Sequence, residues 1–124
     1  MKDLRPKNLN LLSIRFPLPA IVSILHRISG VILFLAIPLI LWVLDYSLSS
    51  PENFQSLSDK LSSSCGKIII WLVLAPFLYH FIAGIRHLLM DANLGVTLKS
   101  GRFTAFVTLI LSMILIVLAG IYLW

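Results

Sequence analysis

Charge is scarce in this sequence, and acidic charge is scarcer still. Only 12% of the 124 residues are charged and only five are acidic, whereas 59% are hydrophobic. The mean hydropathy is +0.99. These values lie well outside the range of ordinary soluble domains. The chain is therefore predicted to be a membrane protein without a soluble domain.

Several classes of site are missing as well. The single cysteine, Cys65, can form neither an internal disulfide nor a clustered metal site. There is no Gly-rich dinucleotide fingerprint and no cysteine cluster for an iron–sulfur centre. The basic residues flank apolar stretches and form no stripe with aromatic residues, so no nucleic-acid binding is expected.

Three stretches contain no Asp, Glu, Lys or Arg: 28–44, 68–85 and 103–124. Each is close to the roughly 20 residues that cross about 30 Å of hydrocarbon. The sequence predicts an all-α membrane protein that forms one transmembrane anchor domain over residues 1–124. Its three transmembrane helices are predicted at about 19–44, 68–90 and 103–124, after an arm of residues 1–18.

The distribution of Lys and Arg predicts the orientation in the membrane. Basic residues precede the first span and flank the connection between spans two and three, whereas the connection from Asp45 to Lys67 also carries acidic residues. By the positive-inside rule, the N-terminus and the second connection are cytoplasmic. The long polar arm resembles neither a cleavable signal nor an Arg-rich transit peptide, which favours a bacterial inner membrane over an organelle.

Short sequence signals predict the structure of the two connections between the spans. Ser50-Pro51 is typical of a helix start, and apolar residues recur behind it at helical spacing, so a short amphipathic helix is expected in the first connection. In the second connection Gly95 and Gly101 are expected to break the helices.

His80 lies inside the second span. An isolated histidine at this depth either hydrogen-bonds a neighbouring helix or ligates a metal or haem iron. Gly84, His87 and Asp91 share its helical face, and Gly84 leaves room for a flat ligand. His87, roughly 10 Å further along the helix, could then meet the carboxylates of a haem held by His80. A second axial histidine would have to come from another chain.

A second polar group opens the first span. Ser23, His26 and Arg27 lie on adjoining faces of one helix. A hydroxyl and a fixed cation can hydrogen-bond a quinone carbonyl and stabilise the charge that reduction places on it. The alternative is that Arg27 only reaches lipid headgroups and Ser23 bonds its own backbone. This group and the pair Arg86-His87 are expected to serve one site, and Ser29-Gly30 is interpreted as a helix-packing contact.

The sequence resembles the family of cytochrome b membrane anchors of succinate dehydrogenase. Two runs of residues carry the resemblance. The first comprises Arg5-Pro6, Asn8-Leu9, Ile14-Arg15-Phe16-Pro17 and Ser23-Ile24-Leu25-His26-Arg27-Ile28-Ser29-Gly30; the second comprises His80, Gly84-Ile85-Arg86-His87 and Met90-Asp91. Lys7 and Asn93 depart mildly from the family pattern.

The resemblance implies a site and a set of partners. His80 would be one axial ligand of haem b, shared with a second membrane-anchor subunit of three helices, and the haem propionates would lie near His26, Arg27 and His87. Ser23 and Arg27 would line the ubiquinone site, with Leu11, Phe16 and Ile24 as apolar walls. An iron–sulfur subunit and a flavoprotein subunit would oxidise succinate, so this chain would be a non-catalytic subunit of the enzyme.

Three other functions would also use an apolar bundle with a few polar residues. A close variant is the anchor of a quinol:fumarate reductase, which runs the reaction in reverse. A non-enzymatic membrane assembly protein would use its polar residues only to join helices. A small proton channel is disfavoured because no Asp, Glu, Lys or second His lies between His80 and the outer end of the second span.

Overall fold

The computed structural model describes residues 15–124. Four helices follow one another: α1 (Leu18–Ser49), α2 (Pro51–Ser62), α3 (Ser64–Asp91) and α4 (Leu98–Leu123). With 32, 28 and 26 residues, α1, α3 and α4 are long and apolar enough to cross a membrane. The prediction of an all-α protein with three candidate spans is confirmed.

The first helix continues beyond its apolar stretch. The predicted first span ends near residue 44, whereas α1 runs to Ser49 because polar residues can continue the backbone ladder beyond the apolar stretch. The helix stops at Ser50, which has extended angles of φ −162° and ψ 158°. Pro51 causes this stop, since a proline disfavours helical angles in the residue before it.

Ser50 and Pro51 also begin α2. The Ser50 side chain accepts a hydrogen bond from the backbone N–H of Asn53 at 3.1 Å, and proline suits the first helical position. Hydrogen bonds from the backbone N–H of Glu52 and from the Ser50 hydroxyl hold the pKa of the Glu52 carboxyl below its ordinary value. The predicted short amphipathic helix is confirmed.

A tight corner joins α2 to α3. The Ser63 side chain accepts a hydrogen bond from the backbone N–H of Gly66 at 3.1 Å and so caps α3. A Cβ atom on Gly66 would overlap the Lys60 carbonyl oxygen and lie 2.5 Å from the Leu61 Cα. Only glycine fits this corner. Because the Ser63 cap starts α3 at Ser64, the helix begins before the charge-free stretch that starts at residue 68.

Residues 92–97 form the turn between α3 and α4. Asn93 and Gly95 adopt left-handed φ angles of 61° and 74°, and Thr97 caps α4. The prediction that Gly101 breaks the helix is wrong, because Gly101 is buried inside α4. The Thr97 cap starts the helix earlier, at Leu98, so Gly101 lies within the first turns of α4.

Small residues bring the three long helices together. Val22, Ala83 and Ala105, one from each helix, form the fully buried core, and Thr108 and Ser112 extend the buried side of α4. Lipid offers no hydrophobic drive for helix association, so close backbone approach and interhelical hydrogen bonds matter more. Large apolar side chains point outward, as a surface facing lipid or another membrane chain requires.

Hydrogen bonds from α3 tie the bundle together. Trp71 Nε1 donates to the Ile116 carbonyl oxygen at 3.1 Å, and Tyr79 Oη donates to the Val22 carbonyl oxygen at 2.8 Å. α3 thus contacts both α1 and α4 through polar as well as apolar groups. The Tyr79 bond lies close to the residues that form the candidate site.

Candidate functional site

Three imidazole rings meet where α1 crosses α3. The ring centroids of His26 and His80 lie 4.1 Å apart with the planes inclined by 15°, so the rings stack. The centroid of His87 lies 4.9 Å from that of His26. We call His26, His80 and His87 the histidine cluster.

Helical spacing on α3 explains why His80 and His87 lie on the same side of that helix. His80 and His87 are seven residues apart, and Gly84 lies between them on the same face. A Cβ atom on Gly84 would lie 3.5 Å from His26 Nε2. The sequence predicted space for a flat ligand beside Gly84. In the structure the His26 ring occupies this space, against the helical face that carries His80, Gly84 and His87.

His80 rests on two small residues of α1. Its Nδ1 atom lies 3.0 Å from Ser29 Oγ and 3.2 Å from the His26 carbonyl oxygen. A Cβ atom on Gly30 would lie 3.1 Å from His80 Cε1. The prediction that Ser29-Gly30 is a helix-packing contact is confirmed, but the prediction did not name His80 as the residue packed there. The sequence offered one signal for this contact: the hydroxyl of Ser29 lies one turn after His26 and so on the same face of α1.

Two imidazole nitrogens of the cluster are buried without a partner. Among residues 15–124, neither His26 Nε2 nor His87 Nε2 has a hydrogen-bond partner. Buried polar atoms are nearly always paired, so these two nitrogens are candidates for contact with a group outside residues 15–124. Each nitrogen can donate to an oxygen of a bound group if it carries the ring proton.

The other predicted site residues that the structure describes lie on the more open side of α1 or, for Phe16, just before its start. Ser23 is half-buried and Arg27 is exposed; four residues apart, they lie one turn from each other. Ile24 and Phe16 are 39% and 40% exposed. Leu11 lies outside the described residues.

Arg86 does not join the histidine cluster. Its side chain is 5% exposed, and its Nε donates to Thr104 Oγ1 and its Nη2 to the Gly101 carbonyl oxygen, each at 3.2 Å. The expectation that Arg86 and His87 serve one site is therefore wrong for Arg86. The helix turns the two neighbouring side chains in different directions, so Arg86 ties α3 to α4 while His87 faces α1.

A metal ion held by protein groups alone does not fit this site. Across the described part of the chain, no group of three or more His, Cys, Asp or Glu side chains could hold an ion. A single histidine ligand, here His80 through Nε2 because its Nδ1 faces α1, suits a metal whose other ligands come from a macrocycle or a partner. The arrangement thus combines one candidate ligand with two candidate donors.

Comparison with known proteins matches nearly the whole chain. Residues 1–119 match the family described as succinate dehydrogenase/fumarate reductase transmembrane subunit. The chain is 42% identical to the succinate dehydrogenase cytochrome b556 subunit of Coxiella burnetii, with all of both chains covered. Proteins of the same name from Paracoccus denitrificans and Rickettsia bellii are 35% and 34% identical, over 92% of this chain and 88% and 89% of theirs. The chain belongs to the family of succinate dehydrogenase and fumarate reductase transmembrane subunits.

Proposed function

We propose that the chain is the haem b- and quinone-binding anchor subunit of succinate:quinone oxidoreductase (respiratory complex II). In this role it helps to pass electrons from succinate oxidation to ubiquinone. The observation that carries the proposal is the histidine cluster, in which three imidazoles meet inside an apolar bundle and two buried nitrogens lack partners among residues 15–124. The names of the relatives add independent support.

The residues of the cluster fit a haem b. His80 directs Nδ1 at α1, which leaves Nε2 to ligate iron. His26 and His87 would donate their unpartnered Nε2 protons to propionate oxygens, and the exposed Arg27, next to His26 in the chain, would add a positive charge. A bound haem would supply one-electron redox chemistry, and a histidine of a second anchor subunit would share in holding it.

The quinone site is proposed on the more open side of α1. Ser23 can donate a hydrogen bond to a quinone carbonyl, and Arg27 one turn later can stabilise the negative charge that develops there on reduction. Phe16 and Ile24 are exposed and would hold the apolar ring and tail, together with Leu11. The protein groups thus orient the quinone, while the electrons come from the iron–sulfur subunit.

The arrangement in the membrane follows from the same proposal. Residues 1–124 would act as one anchor domain in a bacterial inner membrane, with the N-terminal arm on the cytoplasmic side. This orientation would put the start of α1, the histidine cluster and the α3–α4 turn on the side where the flavoprotein and iron–sulfur subunits bind. The positive-inside distribution of Lys and Arg supports this orientation.

A quinol:fumarate reductase anchor is the second candidate, because the matched family covers both enzymes. The relatives named above are all succinate dehydrogenase subunits, which favours succinate oxidation. A purely structural assembly protein would have no use for the unpartnered imidazole nitrogens of the described bundle.

The test is a reduced-minus-oxidised absorbance spectrum of the membrane complex purified through this chain. His80→Ala should lose or alter a b-type haem signal that the unchanged complex shows. Tyr79→Phe is the matched control: it removes a neighbouring hydrogen bond to α1 without touching an imidazole, and should keep the signal. The absence of haem from the complex with the native sequence, or a normal haem spectrum in the His80→Ala complex, would contradict the assignment of His80 as a haem ligand.

A further inference from the structure

The Ser29 hydroxyl has only one proton, and its position can be inferred. Ser29 Oγ donates to the His26 carbonyl oxygen at 2.8 Å, one turn earlier on α1. Because a serine hydroxyl carries a single hydrogen, Ser29 Oγ can only accept on its remaining side. That side faces His80 Nδ1 at 3.0 Å.

The second neighbour of His80 Nδ1 leads to the same conclusion. The His26 carbonyl oxygen lies 3.2 Å from Nδ1, and a carbonyl can only accept. Two acceptors therefore face one ring nitrogen, which must carry a hydrogen. A neutral imidazole has one N–H, so Nε2 is left with a lone pair.

We propose that Ser29 is a positioning residue that holds His80 in the Nδ1–H tautomer, with Nε2 directed to the haem iron. This inference rests on the proposed function, since it needs His80 as the axial ligand. Ser29 would act on the haem through His80 and not by a contact of its own. Gly30 supports the arrangement, because its missing side chain lets the His80 ring lie against α1.

A hydrogen bond from the far nitrogen changes the ligand as well as its orientation. When Nδ1–H donates a hydrogen bond to Ser29 Oγ, the imidazole becomes a more basic ligand. A more basic ligand stabilises oxidised over reduced iron, so the bond lowers the haem midpoint potential. Losing the Ser29 oxygen leaves only the longer contact to the His26 carbonyl, and the potential should rise.

The experiment is a redox titration of haem b in the purified complex carrying Ser29→Ala. The matched control is Ser112→Ala, since Ser112 is also buried in the bundle and its hydroxyl lacks a hydrogen-bond partner among residues 15–124. Ser29→Ala should shift the haem reduction equilibrium by about three- to tenfold toward the reduced form, where tenfold corresponds to about 59 mV. Ser112→Ala should titrate as the unchanged complex does.

An isosteric pair separates the hydrogen bond from packing. Ser29→Thr keeps the oxygen and Ser29→Val replaces it by a methyl group of similar size, so both add the same bulk to a buried site. The threonine complex should titrate at a lower potential than the valine complex. If the Ser29→Ala complex does not accumulate, the difference in potential between the threonine and valine complexes tests the same hydrogen bond.

The outcomes distinguish the two proposals. If the spectrum does not depend on His80, the proposed haem ligation fails. If the spectrum depends on His80 but the potentials of Ser29→Ala and Ser112→Ala agree, or those of the threonine and valine complexes agree, the role of Ser29 is overturned. A normal haem signal with the predicted shifts supports both.

Discussion

Gly30→Ala and Gly84→Ala form a matched pair of substitutions around the histidine cluster. Each glycine lies inside a long helix, so alanine should favour helix formation by a similar amount, about 0.5–1 kcal/mol. The spaces around them differ. A Cβ atom on Gly30 would lie 3.1 Å from His80 Cε1, whereas one on Gly84 would lie 3.5 Å from His26 Nε2.

The difference can be translated into a displacement and a free energy. Carbon atoms pack best about 3.5–4.0 Å apart, so Gly30→Ala must push the His80 ring away by roughly 0.5 Å. Such a shift would lengthen the 3.0 Å contact between His80 Nδ1 and Ser29 Oγ to about the limit of a hydrogen bond. Overpacking of this kind typically costs about 1–3 kcal/mol, which exceeds the gain in helix propensity.

Haem content per complex and the thermal unfolding midpoint measure the outcome. Gly30→Ala should lose haem and unfold at a lower temperature than the unchanged complex, and Gly84→Ala should keep both properties near their original values. Equal behaviour of the two variants would refute the packing described for His80. Loss of haem in Gly84→Ala alone would show that Gly84 faces the cofactor rather than His26.

Two further substitutions test the contacts that join α3 to its neighbours. Tyr79→Phe removes the hydrogen bond to the Val22 carbonyl oxygen and should lower the free energy of unfolding by about 0.6–1.5 kcal/mol, measured by denaturation of the purified complex; an unchanged free energy would mean that the bond is not formed. Thr104→Val leaves Arg86 Nε without its acceptor and should cost about 1–3 kcal/mol in the same assay. Thr108→Val is its control, because that hydroxyl donates within α4, and an equal loss in both variants would contradict the role of Thr104.

Hydropathy predicted the long helices well because each charge-free stretch must form its backbone hydrogen bonds internally. It could not find their ends. The termini at Ser49 and Ser64 lie in polar sequence, where a proline after Ser50 and a glycine at position 66 decide the geometry. Such signals mark a turn but do not say how many polar residues remain helical before it.

The candidate site was predictable only as far as one helix reaches. Seven-residue spacing places His80 and His87 on one face, whatever the rest of the fold does. The contact of His80 with Ser29 joins residues 51 positions apart, and no periodicity within a helix encodes it. Arg86 shows the converse, because adjacency to His87 in sequence suggested a shared site that the helical rotation prevents.

Most of the interhelical hydrogen bonds described above run in one direction. The indole of Trp71, the phenol of Tyr79 and the guanidinium of Arg86 all donate from α3, and their acceptors belong to α1 or α4. Those acceptors are backbone carbonyls or a threonine that also bonds its own helix. An isolated α1 or α4 in the bilayer would therefore leave few polar groups unpaired. During synthesis α3 is therefore the helix that carries unpaired donors into the membrane. α1 can accept the bond from Tyr79, but the donors of Trp71 and Arg86 stay unpaired until α4 follows.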